Sequence, residues 1–75
     1  MRVEYTVTEE EQQADGHHPS RVYGIEARMG KEICRIDDVS PSRKEVEAMI
    51  CLFEKEQPHP IHLYDVITDL LGRNV

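Results

Sequence analysis

Four histidines, two cysteines and fifteen acidic side chains hold most of the chemistry this 75-residue chain could perform. His59 and His62 stand three residues apart, and Asp65 and Asp69 continue along the His62 side of the same segment. Imidazole nitrogens beside carboxylate oxygens form a ligand set for zinc or another transition metal. Such spacing serves a metal only when both histidines lie on one helix face. Pro60 suits the first helical position, which makes His59 the N-cap and turns its ring toward backbone donors. His62, Asp65 and Asp69 then form a solvated face. A metal-responsive module using His59, His62 and Asp65, with His17 or His18 as a further ligand, is the alternative. His17-His18 lies in a polar loop, where neighbouring side chains on extended chain point to opposite sides.

Cys34 and Cys51 lack a C-x-x-C spacing and have no neighbouring Lys or His cluster to lower a thiol pKa. They read as buried small hydrophobes, able to meet if the third strand packs on the first helix. The chain has no G-x-S-x-G, no Gly-rich phosphate loop and no H-E-x-x-H. Carboxylate pairs such as Asp37-Asp38 and Glu45/Glu47 need a cleft with contrasting environments before they do acid–base work. A chain this short builds little cleft. Neither an enzyme nor a bound cofactor is expected.

Tyr64 joins Asp65 in the second helical segment, and a phenol combines large contact area with a polar tip. His62, Tyr64, Asp65 and Asp69 are therefore the candidate interaction face. The alternative for Tyr64 is packing over the sheet with its hydroxyl at the rim.

These residues need a scaffold. Val3, Tyr5 and Val7 alternate with Arg2, Glu4, Thr6 and Thr8, the period of a strand with one wet face. Tyr23, Ile25, Ala27 and Met29 alternate in the same way against Val22, Gly24, Glu26 and Arg28. Between the two runs lies a polar stretch with Asp15-Gly16 near its middle, a type I′ hairpin signal. Met29-Gly30-Lys31 makes a second turn. A third strand follows, with Cys34 and Ile36 on one face and Ile33 and Arg35 on the other. The opposite parity of Ile33 and Ile36 calls for either two partly covered faces or a bulge.

From residue 42 the period becomes helical. Val46, Met49, Ile50 and Phe53 fall at i, i+3, i+4 and i+7. Ser42 and Glu45 have the spacing of a capping box, and Pro58 ends the helix. In the next segment Leu63, Val66, Ile67 and Leu70 form a stripe widened by Tyr64 and Leu71, with Gly72 as a left-handed terminator. The expected fold is α+β, a three-stranded antiparallel meander followed by two helices packed on one face. It forms a single domain over residues 1–75, with strands at about 2–11, 19–29 and 32–37 and helices at about 42–56 and 60–71.

Composition narrows the function. Nine basic residues against fifteen acidic ones give a net charge of −6, with no basic cluster and no Trp. Nucleic acid and anionic membrane are poor partners for such a surface. No apolar run reaches the length of a membrane span, and the N-terminus does not read as a signal or transit peptide. The cytoplasm is the expected compartment, with both thiols reduced. So small a core is marginal, and dimerisation or a partner is a natural supplement.

Three stretches carry a resemblance: Tyr23-Gly24-Ile25-Glu26, Ile36-Asp37-Asp38-Val39-Ser40 and Pro60-Ile61-His62-Leu63-Tyr64-Asp65-Val66-Ile67. Together they resemble a family of short bacterial proteins of Gram-positive, clostridia-like lineages, catalogued as a domain of unknown function. The resemblance spans nearly the whole chain and is most specific in the last stretch. It implies a free-standing cytoplasmic bacterial protein and brings no catalytic residues with it. The His17-His18 pair and His59 stand where the family is expected to carry other polar residues. The chain thus reads as a small non-catalytic protein-interaction or regulatory module. A metal-responsive module and a structural homodimer are the alternatives.

Overall fold

A computed structural model describes residues 1–14 and 18–72. Strand β1 (Glu4–Ala14) pairs antiparallel with β2 (His18–Met29), which pairs antiparallel with β3 (Glu32–Ser40), in the order β1-β2-β3. Helix α1 (Arg43–Glu56), a 3-10 turn (Pro60–His62) and helix α2 (Leu63–Gly72) follow. This is the α+β meander with two helices that the alternating and helical periods predict.

The β1–β2 ladder runs unbroken from Glu4↔Arg28 to Ala14↔His18, and the Asp15-Gly16 turn lies outside the described residues, as does His17. Opposite charges face one another at Glu4↔Arg28 and Glu11↔Arg21, and Arg21 reaches diagonally to Glu9 at 3.1 Å. Each such cross-strand pair adds about 0.2–1 kcal/mol. The inner face carries Val3, Tyr5, Ile25 and Ala27, all buried, with Val7, Tyr23 and Met29 partly so. Val22, on the other parity, is also buried but stands outside that cluster.

β3 extends three residues beyond the expected Asp37 because a bulge changes its register. Ile36 pairs with Ile25, but Ser40 pairs with Tyr23, so Asp37, Asp38 and Val39 together oppose Gly24. Asp38 sits at φ 56°, in the left-handed region that Asp tolerates better than most side chains. The bulge lies beyond both Ile33 and Ile36, so the ladder between them is regular and their opposite parity stands: Ile36 is half-buried on the inner face and Ile33 is 55% exposed on the outer one. Val39 and Ser40, past the bulge, are both buried. A Cβ on Gly24 would run into the Ile36 carbonyl oxygen, and Thr8 Oγ1 and Asp37 Cα also lie against that space. The residue is glycine because β3 folds over it.

α1 lies across the sheet nearest β1 and buries Val46, Met49, Ile50 and Phe53, the predicted stripe. Its N-terminus departs from a simple capping box. Ser42 Oγ accepts from the Glu45 N–H at 3.3 Å, but the return arm runs through Ser40. The Ser42 N–H donates to Ser40 Oγ at 3.0 Å, and the Ser40 hydroxyl donates to Glu45 Oε2 at 3.1 Å.

α2 packs against β3 with Leu63 and Ile67 buried and Val66, Leu70 and Leu71 partly covered. Its first turn is 3-10 rather than α-helical. Gly72 is its last residue and is absent from the left-handed positions, so the expected Gly terminator is replaced by a helix running on to that residue. Tyr64 does not widen the stripe.

Candidate functional site

The turn that opens the second helical segment is built by two residues. Pro60 is buried at the first position of the 3-10 turn, where it needs no amide donor. His59 precedes it with extended backbone, and its Nδ1 accepts from the Ile61 N–H at 3.2 Å. The capping role expected of His59 is the one it has. Its Nε2 stands 3.5 Å from Glu32 Oε2 at the start of β3. The His59 and His62 rings lie edge to face with centroids 6.4 Å apart. Among the described residues, no three His, Cys, Asp or Glu side chains are grouped to hold a metal ion. His59 thus has Nδ1 on the backbone and Nε2 toward Glu32, with the His62 ring beside it. His17 and the side chain of His18 lie outside what is described.

His62, Tyr64, Asp65 and Asp69 are all exposed. At about 100° per residue, Tyr64 and Asp69 lie at the two sides of one solvent arc of α2, with Asp65 and Thr68 between them. His62 precedes the helix in the 3-10 turn, beside this arc. Tyr64 is 63% exposed, which overturns the alternative of a tyrosine packed over the sheet. The physical reason is angular. Leu63 and Ile67 take the centre of the buried face, and Tyr64 stands a quarter-turn beyond Leu63.

The two cysteines are free and do not meet. Cys51 is exposed on α1, in an open groove with Tyr5, Val7 and Ile50 beside β1. Cys34 is half-buried on β3, in a second open groove with Ile33, Pro60 and Ile61. The central strand β2 separates the two grooves. The reading of both as buried hydrophobes thus fails for Cys51, which sits at the edge of its helix stripe where the sheet no longer covers it.

Three features were missed in the residue patterns. Ile61 is 74% exposed next to Ile33, and together they put two large aliphatic side chains in solvent along the β3 edge. The Gln57 carboxamide closes the start of β1: its Oε1 accepts from the Val3 N–H at 2.7 Å, and its Nε2 donates to the Val3 carbonyl at 3.1 Å. Tyr5 reaches the same junction, its phenol donating to the Pro58 carbonyl at 2.5 Å. Burial pushes the Tyr5 phenol above its ordinary pKa, with the Arg2 charge opposing that rise. Only the Ile33 parity conflict left a signal in the sequence. The Gln57 and Tyr5 bonds span more than fifty residues and left none.

No described helix is long and apolar enough to cross a membrane. The description "Family of unknown function (DUF6514)" matches residues 1–73. The chain belongs to this family. The DUF6514 match covers all three strands and both helices, including the Gly24 bulge contact, the His59 cap and the α2 arc. No curated protein and no solved structure matches the chain.

Proposed function

We propose that this chain is a non-catalytic cytoplasmic module that binds another protein through His62, Tyr64, Asp65 and Asp69. The observation that supports this reading is Tyr64, 63% exposed on an arc that also carries two carboxylates. A small domain gains from burying every large ring it has, and Tyr64 is left outside a core that takes Tyr5 and Phe53. A net charge of −6, with Asp65 and Asp69 beside the ring, favours a partner with a basic or mixed surface. Tyrosine would supply the buried anchor of the contact and the carboxylates its charged rim.

Capture from bacterial lysate tests the reading, with wild type beside Tyr64→Ala and the Asp65→Ala/Asp69→Ala pair. All three substitutions lie on solvent-exposed positions, and circular dichroism and melting check that each variant is folded. A protein held by wild type and lost by both folded variants is the expected result. A complex that survives both sets of substitutions removes this face. Wild type that captures nothing removes the reading.

A further inference from the structure

We propose that two copies of this chain pair along their β3 edges, antiparallel, about a two-fold axis through Cys34. A three-stranded sheet has two edges, and this one treats them differently. The β1 edge is closed at Val3 by the Gln57 carboxamide, which occupies the place of a neighbouring strand's peptide group. Farther along, β1 carries Glu4, Glu9, Glu10 and Glu11 and no basic residue of its own, and the β2 arginines beside it already face Glu4, Glu9 and Glu11, so self-pairing would bring only further carboxylates to that edge. The β3 edge carries neither device.

The regular part of β3 is bounded by Lys31 in the tight turn and by Asp37, where the bulge begins. Cys34 is its midpoint. A two-fold axis perpendicular to the sheet keeps inner side chains opposite inner ones and outer opposite outer. With the axis at Cys34, Lys31 faces Asp37 of the second copy at both ends of the paired stretch. Ile33 faces Arg35, whose aliphatic stem can cover it while the guanidinium stays with Asp37 at 2.7 Å. On the inner side, Glu32 faces Ile36 and Cys34 faces its own counterpart. Shifting the axis to Ile33 sets Lys31 against Arg35, and shifting it to Arg35 sets two guanidiniums face to face. The charge pattern selects one register. The same pairing covers Ile33, 55% exposed, and lays the second copy beside the groove of Cys34, Pro60 and Ile61, where Ile61 is 74% exposed. The substitutions that test the pairing lie on β3 and the turn before it, and none is on the α2 arc.

Sedimentation equilibrium over a dilution series tests the pairing, using Lys31→Glu, Asp37→Lys and Ile33→Lys, all at exposed positions. Wild type is expected to approach twice the monomer mass. Each substitution repeats its like-charge contact at both symmetric positions and is expected to weaken association about tenfold. Mixing Lys31→Glu with Asp37→Lys restores opposite charges at both ends, so the mixture is expected to dimerise where each variant alone does not. Circular dichroism confirms that each variant is folded. Ile33→Lys provides the same reading with no ion pair of the native chain disturbed. A wild-type protein that stays monomeric at the highest concentration overturns the proposal. So does a dimer indifferent to all three substitutions, or a mixture no better associated than its components.

Discussion

The side-chain amide of Gln57 pairs with the backbone of Val3 as one peptide group pairs with another, donor to acceptor and acceptor to donor. Gln57 is also the C-cap of α1, held at φ 53° with its own N–H donating to the Phe53 carbonyl at 2.6 Å. One residue therefore ends a helix and finishes a sheet edge. The left-handed backbone aims its side chain back at β1, where a right-handed continuation would carry it along the helix axis.

Two substitutions separate these roles. Gln57→Ala loses both bonds and keeps a Cβ in the left-handed region, so about 2 kcal/mol of stability should go. Gln57→Gly loses the same bonds but relieves the backbone, and should retain about 1 kcal/mol relative to alanine. Thermal or urea unfolding of the two variants reads the difference. Equal stability would mean that the backbone conformation carries no cost at this position.

Tyr5 makes the fold sensitive to alkali. Its folded-state pKa is raised, first by burial and with Arg2 opposing, so the folded chain holds the phenolic proton that the unfolded chain releases near pH 10. Stability from this group is complete below the unfolded value and is lost as pH rises through the folded one. Phenolate cannot donate to the Pro58 carbonyl, which is the same loss seen in contact terms. Urea midpoints between pH 8 and 11 should fall for wild type, and the fall should be shallower in Tyr5→Phe.

Gly24→Ala should be among the most damaging single substitutions in the sheet, at about 3 kcal/mol. The added methyl meets the Ile36 carbonyl and the Asp37 backbone, neither of which can swing aside as a side-chain end would. Relief requires moving the bulge. Loss of soluble protein, or a melting temperature far below wild type, is the expected outcome. A variant that melts normally would show that the bulge yields easily.

Ser40 links β3 to α1 through both arms of its hydroxyl. Ser40→Ala leaves the Ser42 N–H and the Glu45 carboxylate without that link, at about 1–2 kcal/mol. Ser42→Ala removes the direct cap at about 1 kcal/mol. Because both belong to one network, the double variant should lose less than the sum of the two single changes. Additive losses in a double-mutant cycle would show two independent caps.

Local order was legible in the residues. Alternation in Val3–Val7 and Tyr23–Met29, the stripe Val46–Phe53, the Ser42 cap and the His59-Pro60 start depend on neighbours within about four positions, and each stands where the pattern puts it. Within the candidate face the exposure of His62, Asp65 and Asp69 was legible in the same way, because a helix wheel follows from spacing alone, whereas that of Tyr64 was not. Which side of a stripe is finally covered does not follow from spacing. Tyr64 and Cys51 both lie at stripe edges, and whether an edge is dry depends on how far the sheet extends beneath it. The bulge over Gly24, the Val3–Gln57 pair and the Tyr5–Pro58 bond join segments that only the packed chain brings together. Periodicity and capping are written in short-range chemistry, so the elements and their order can be read from the residues alone. Register, edge closure and the exposure of Ile33, Ile61 and Tyr64 arise from contacts between distant residues, which exist only once the chain has packed.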